Sequence, residues 1–167
     1  MLIDPLYLPM GDARASAVSG GPRSLVGRFA LDTLSELPTS DIHGRAGLRS
    51  IIMAGCFADS IARAGRGEQS IRLLLAHDPR YPLAATGDGT LSVWEADGFL
   101  CWRAMVPAAA VPASVRGCSL TPLTTEFAYH RMPTGEDVKV ITRASLVEIS
   151  ITDNPAMGRA NAPAWLE

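Results

Sequence analysis

Apolar residues along this chain come in short runs broken by turn residues, the pattern of strands rather than of long helices. Lys139 to Ile151 is rich in β-branched residues and predicts the longest strand. Leu91 to Val106 holds two apolar runs around Ala96-Asp97-Gly98, and an Asp-Gly pair so placed signals a hairpin. Ile71 to Ala76 predicts a buried strand. Asp78-Pro79 is expected to end it, since the residue before proline is restricted. Leu25 to Leu31 and Ser50 to Met53 predict shorter strands, the second closed by Gly55. Ser119 to Tyr129 alternates poorly and reads as a strand broken at Pro122. Helical spacing appears at Phe57, Ile61 and Ala64, so Phe57 to Ala64 predicts a helix ended by Gly65 and Gly67. Alanine-rich Ala108 to Arg116 predicts a second short helix despite Pro112.

The segments between are loops by composition. Residues 1–24 contain Pro5, Pro9, Gly11, Gly20, Gly21 and Pro22, which predicts a flexible N-terminal arm. Thr33 to Arg45 is polar and reads as a loop; the tail from Met157 is expected to be ordered only in part. The elements sum to a mostly β fold with some α (α+β): a single-domain β-barrel, closed or nearly so, flanked by a few helices. The expected domain spans residues 25–160, followed by a short C-terminal tail at 161–167.

Composition narrows the function classes. The chain has 167 residues, 47 % of them hydrophobic, enough for one domain with a real core. A formal net charge of −2, with one lysine and scattered arginines, gives no electrostatic case for nucleic acid. Cys56, Cys101 and Cys118 lack metal-ligand spacing and read as reduced thiols in a cytoplasmic setting. No apolar run reaches membrane-spanning length, so no membrane partner is expected. Met1 to Met10 has no basic n-region and does not read as a signal peptide.

Three short stretches carry the chemistry. His77 ends the Ile71–Ala76 strand, rigid on one side and open on the other, which suits a general base and equally a structural histidine. His43 and His130 read as loop residues. Ser119 follows Arg116-Gly117-Cys118 at an expected helix-to-strand corner. A serine there can be a nucleophile beside backbone N–H oxyanion donors, or an ordinary turn residue. Cys118 is its rival, and since neighbouring side chains of an extended segment point to opposite faces, only one of the two can face His77. Glu148 lies between Val147 and Ile149, where a carboxylate is costly to bury unpaired. It can orient a histidine, face solvent, or pair with an arginine such as Arg143 or Arg103. Asp78 and Asp97 read as turn residues.

In order, these stretches resemble the prohead serine proteases of tailed bacteriophages. Gly27-Arg28-Phe29-Ala30 stands for that family's Gly-Tyr-Ala strand, and Ala54-Gly55-Cys56-Phe57 for its Pro-Gly-Ala-Phe element. Leu74-Leu75-Ala76-His77-Asp78 matches Leu-x-x-His-Asp, and Glu95-Ala96-Asp97-Gly98-Phe99 approximates an Asp-x-Gly-Leu hairpin. Glu148-Ile149-Ser150 followed by Asn154-Pro155-Ala156 matches Glu-Val-Ser…Pro-Ala. Ser119-Leu120-Thr121-Pro122 departs from the family's Ser-x-Gly-Phe. The resemblance implies a fold like that of herpesvirus assembly proteases, and a serine endopeptidase with Ser119 as nucleophile, His77 as base and Glu148 as orienting acid. It implies no cofactor and no metal. The expected partners are the phage major capsid protein and scaffold as substrates, with self-cleavage and a homo-oligomer compatible. The expected place is the procapsid assembling in the bacterial cytoplasm. The departure after Ser119 keeps a second class open, a non-enzymatic capsid assembly factor.

Overall fold

A computed structural model describes residues 21–39 and 47–167. Residues 1–20 of the expected arm, and His43, lie outside them. The first strand already begins inside the stretch read as the arm's end: β1 is Pro22–Ala30. It is followed by β2 (Ser50–Ile52), α1 (Ala58–Gly65), β3 (Arg72–Leu75) and β4 (Asp78–Ala85). The second half of the chain gives β5 (Leu91–Ala96), β6 (Phe99–Pro107), β7 (Gly117–Arg131), β8 (Asp137–Thr152) and β9 (Ala164–Leu166).

The strands form two sheets. One has the order β5-β6-β1-β9 and is antiparallel throughout. The other is built on β8, which takes β7 along its whole length as an antiparallel partner. β2 and β3 pair with β8 in parallel, at Lys139–Ile141 and Glu148–Ile151, and β4 folds back on β3. Leu25, Phe29, Leu100 and Trp102 of the first sheet meet Leu73, Leu146, Ile149 and Ile151 of the second in one core, with Phe57 added from just before α1. Each fully buried aliphatic or aromatic side chain there stabilises the fold by roughly 1.5–3 kcal/mol.

The fold is thus mostly β with one α-helix among the described residues, the class expected. The barrel, however, is not closed. The sheets join along one side through a Gly117–Pro163 bridge and a hydrogen bond from Cys118 N–H to Ala162 C=O (2.8 Å). Closure fails because β4 and β5 do not form a ladder. β9 also orders the segment after Met157, pairing with β1 from Leu166 to Ala164.

Two other local expectations change. Ala108 to Arg116 makes only a 3-10 turn at Ala108–Ala110, since Pro112 has no N–H to continue a helix. The stop at Asp78-Pro79 is instead the start of β4, and the chain reverses earlier, at Ala76-His77. Pro79 and Pro82 are tolerated because β4 pairs only with β3 and leaves its other edge without a ladder. α1 holds its place through Ser60, whose hydroxyl accepts from Leu146 N–H (3.0 Å) and Gln69 Nε2 (2.7 Å).

Candidate active site

The β3–β4 connection has two central residues, Ala76 (φ 51°) and His77 (φ 60°), both left-handed. A two-residue hairpin favours this geometry because its twist matches the strands, although neither residue is glycine. The turn is secured from β8: Ala76 N–H donates to Ile151 C=O and His77 N–H to Ser150 Oγ, each at 3.0 Å. The imidazole is thereby held beside β8, with its side chain 43 % exposed.

β8 contributes Glu148. From Glu148 to Ile151 this strand is buried throughout, covered by β3 on one edge and β7 on the other. Ile149 and Ile151 enter the core, so alternation turns Glu148 and Ser150 to the opposite face. There Glu148 Oε1 lies 2.6 Å from His77 Nδ1. The same oxygen accepts from Ser150 Oγ (2.7 Å) and Thr121 Oγ1 (3.4 Å). Neither arginine weighed as a rival partner reaches Glu148: Arg143 pairs with Glu126 and Arg103 with Glu167. A carboxylate accepting at Nδ1 fixes the neutral imidazole as the Nδ1–H tautomer. Nε2 is then the free base nitrogen.

β7 contributes Ser119 and Thr121. Ser119 is the third residue of this strand and not a corner residue, because no helix precedes it. It stands opposite Ser150, and Thr121 stands opposite Glu148. Strand alternation puts both hydroxyls on the Glu148 face and sends Cys118 the other way. Cys118 is fully buried, its Sγ donates to Arg28 C=O (3.5 Å), and burial pushes its thiol up to about 12. It is protonated and enclosed at neutral pH. Of the two neighbours, Ser119 is the one on the Glu148 face.

His77, Ser119, Thr121 and Glu148 line one cleft of about 640 Å³. Leu37, Ile52, Ile141 and Met157 line the same cleft. Lys139, the single lysine of the chain, also lines it, with its ammonium 4.2 Å from the Phe127 ring centre. Ser119 makes no hydrogen bond to His77 in this arrangement. Thr121 Oγ1 lies 3.3 Å from Nδ1, the nitrogen that Glu148 holds. Asp78, the other carboxylate beside His77, is engaged by Arg80, which holds it below the usual carboxylate range. His130 lies exposed on β7 and is not among the residues that line this cleft. Among the described residues, no cluster of His, Cys, Asp and Glu is arranged to hold a metal ion.

Sequence reasoning named His77, Ser119 and Glu148 and missed Thr121 and Ser150. Both lie two residues from a named one, and a period of two on β7 and β8 would have placed them on the same face.

A serine, a histidine and a carboxylate on one cleft describe a candidate hydrolase site for acyl transfer. The sequence profile of the caudovirus prohead serine protease family matches residues 36–165. The chain belongs to that family, and so to the serine peptidases of phage capsid maturation. No curated protein and no solved structure matches it.

Proposed function

We propose that this chain is an active maturation endopeptidase that cuts the scaffold or the N-terminal segment of the capsid protein, and itself, inside the assembling procapsid. Ser119 is the nucleophile, His77 the general base and Glu148 the acid that orients it. The observation that carries the reading is the 2.6 Å contact between His77 Nδ1 and Glu148, made on the face where Ser119 also stands. With Nδ1–H engaged, Nε2 takes the Ser119 proton as Oγ attacks the scissile carbonyl. The imidazolium is stabilised by Glu148 and returns the proton to the leaving amine. Water, activated by the same nitrogen, then releases the acyl-enzyme. Substrate in the cleft brings Ser119 Oγ and Nε2 into hydrogen-bond reach, a tightening common to sites described without ligand.

One observation favours a second reading. Thr121-Pro122 replaces the family's Gly-Phe, and the β7–β8 register shifts between these two residues. A protein that had lost its activity would serve as an assembly factor only. Co-expression with the capsid protein of the same phage separates the two. The proposal expects a shortened capsid protein with wild type and a full-length one with Ser119→Ala. Full-length capsid protein in both cases, with particles still assembled, establishes the second reading.

A further inference from the structure

Ser150 is fully buried, and its hydroxyl does two things at once. It accepts the backbone N–H of His77 at 3.0 Å and donates its proton to Glu148 Oε1 at 2.7 Å. One oxygen thus ties the backbone beneath the base to the carboxylate that holds its ring. The tie falls where the chain is least comfortable. Ala76 and His77 are successive non-glycine residues at φ 51° and 60°, where a Cβ crowds the following carbonyl. Two hydrogen bonds from β8 hold that turn. One uses the backbone carbonyl of Ile151, which any residue would supply. The other exists only because residue 150 carries a hydroxyl.

We propose that Ser150 is a positioning residue: it locks the strained His77 turn to Glu148 and so sets the direction of the imidazole. The proposal rests on the peptidase reading of His77 and Glu148 and adds to it a group that touches neither substrate nor the reacting atoms. Alanine at 150 fits the strand but leaves the His77 N–H without its acceptor and takes one donor from Glu148 Oε1. The turn then relaxes and the ring leaves its place. Cysteine keeps nearly the size of serine but is a weak donor and acceptor, so it restores the tie only in part.

The test compares full-length wild type, Ser150→Ala and Ser150→Cys by three readouts. These are the thermal midpoint, the second-order rate of acylation by p-nitrophenyl acetate, and the low-field proton resonance of His77 Nδ1–H in ¹⁵N-histidine-labelled protein. Ser150→Ala is expected to fold, to lose about 100-fold in acylation, as a misplacement near 1 Å can cost, and to lose the low-field signal to exchange. Ser150→Cys falls between alanine and wild type in both. Folded Ser150→Ala with the wild-type signal and rate overturns the proposal. If Ser150→Ala does not fold, Ser150→Cys decides: an intermediate signal and rate support the tie, and wild-type values overturn it. Failure of both variants to fold makes the hydroxyl a folding group and overturns it too. The resonance needs no turnover. A wild type that shows it but is not acylated refutes the peptidase reading while leaving the tie to be judged by the resonance alone.

Discussion

Replacing Glu148 by glutamine changes one charge and almost no volume. The glutamine carbonyl still accepts from His77 Nδ1–H, so geometry is kept and the charge interaction is isolated. The carboxylate and the imidazolium formed during attack have charge centres about 4 Å apart, worth about 4 kcal/mol at an effective dielectric near 20. The His77 side chain is 43 % exposed, so solvent screens part of this. A remainder of about 2–3 kcal/mol corresponds to a loss of roughly 30- to 150-fold in rate. That is less than a fully enclosed triad acid supplies, because here the ring stands at the mouth of the cleft. The assay is the rate of capsid-protein cleavage followed on gels, with the thermal midpoint measured on the same preparation. On the proposed mechanism His77→Ala loses more than Glu148→Gln, since it removes the group proposed as base. A folded Glu148→Gln with the wild-type rate refutes the reasoning. So does one whose midpoint falls while the rate of the folded fraction is unchanged, since that makes Glu148 a structural ion-pair partner.

Other predictions follow from packing and burial. A Cβ on Gly117 would lie 2.6 Å from Pro155 Cγ and 2.7 Å from Ala162 C=O, so Gly117→Ala forces the sheets apart beside Ser119. An overpacking cost of about 1–3 kcal/mol would lower the melting midpoint by about 2–12 °C in calorimetry. Leu146→Ala empties a fully buried site under α1, and urea unfolding should show a loss of about 2–5 kcal/mol. Burial raises the thiols of Cys56 and Cys118 from 9.0 to about 12. A raised folded-state value stabilises below the unfolded one, so stability should fall as pH climbs from 9.0 towards about 12, and cysteine-to-serine variants should flatten that decline. In the folded protein at neutral pH, an alkylating reagent should modify Cys101, which is partly exposed, well before Cys118.

What could be read from the sequence was what local chemistry dictates. Asp97-Gly98 turns the β5–β6 hairpin with φ of 51° and 77°, as Asp-Gly demands, and the β-branched run around Ile141 does form the longest strand. Glu148, a carboxylate between Val147 and Ile149, was read as able to orient a histidine, face solvent or pair with an arginine, and in the structure it meets His77. β4 escaped because its two prolines disguise a strand that only an edge position permits. The open barrel escaped because closure depends on whether distant edges meet, which no local pattern encodes. Ser119 was read as a corner residue because the alanine run before it suggested a helix that Pro112 forbids. Thr121 and Ser150 were hidden by their ordinariness: a serine or threonine on a strand signals nothing until its cross-strand neighbour is known.

The central claim is that Ser119 is the nucleophile, and covalent trapping tests it most directly. Wild type and His77→Ala are incubated with a fluorophosphonate, which phosphonylates only an activated hydroxyl, and the adduct is mapped by peptide mass spectrometry. The account predicts one adduct, on Ser119, in wild type and none in folded His77→Ala. An adduct on Thr121 or elsewhere, or none on a wild-type protein that cleaves its capsid protein, would contradict it.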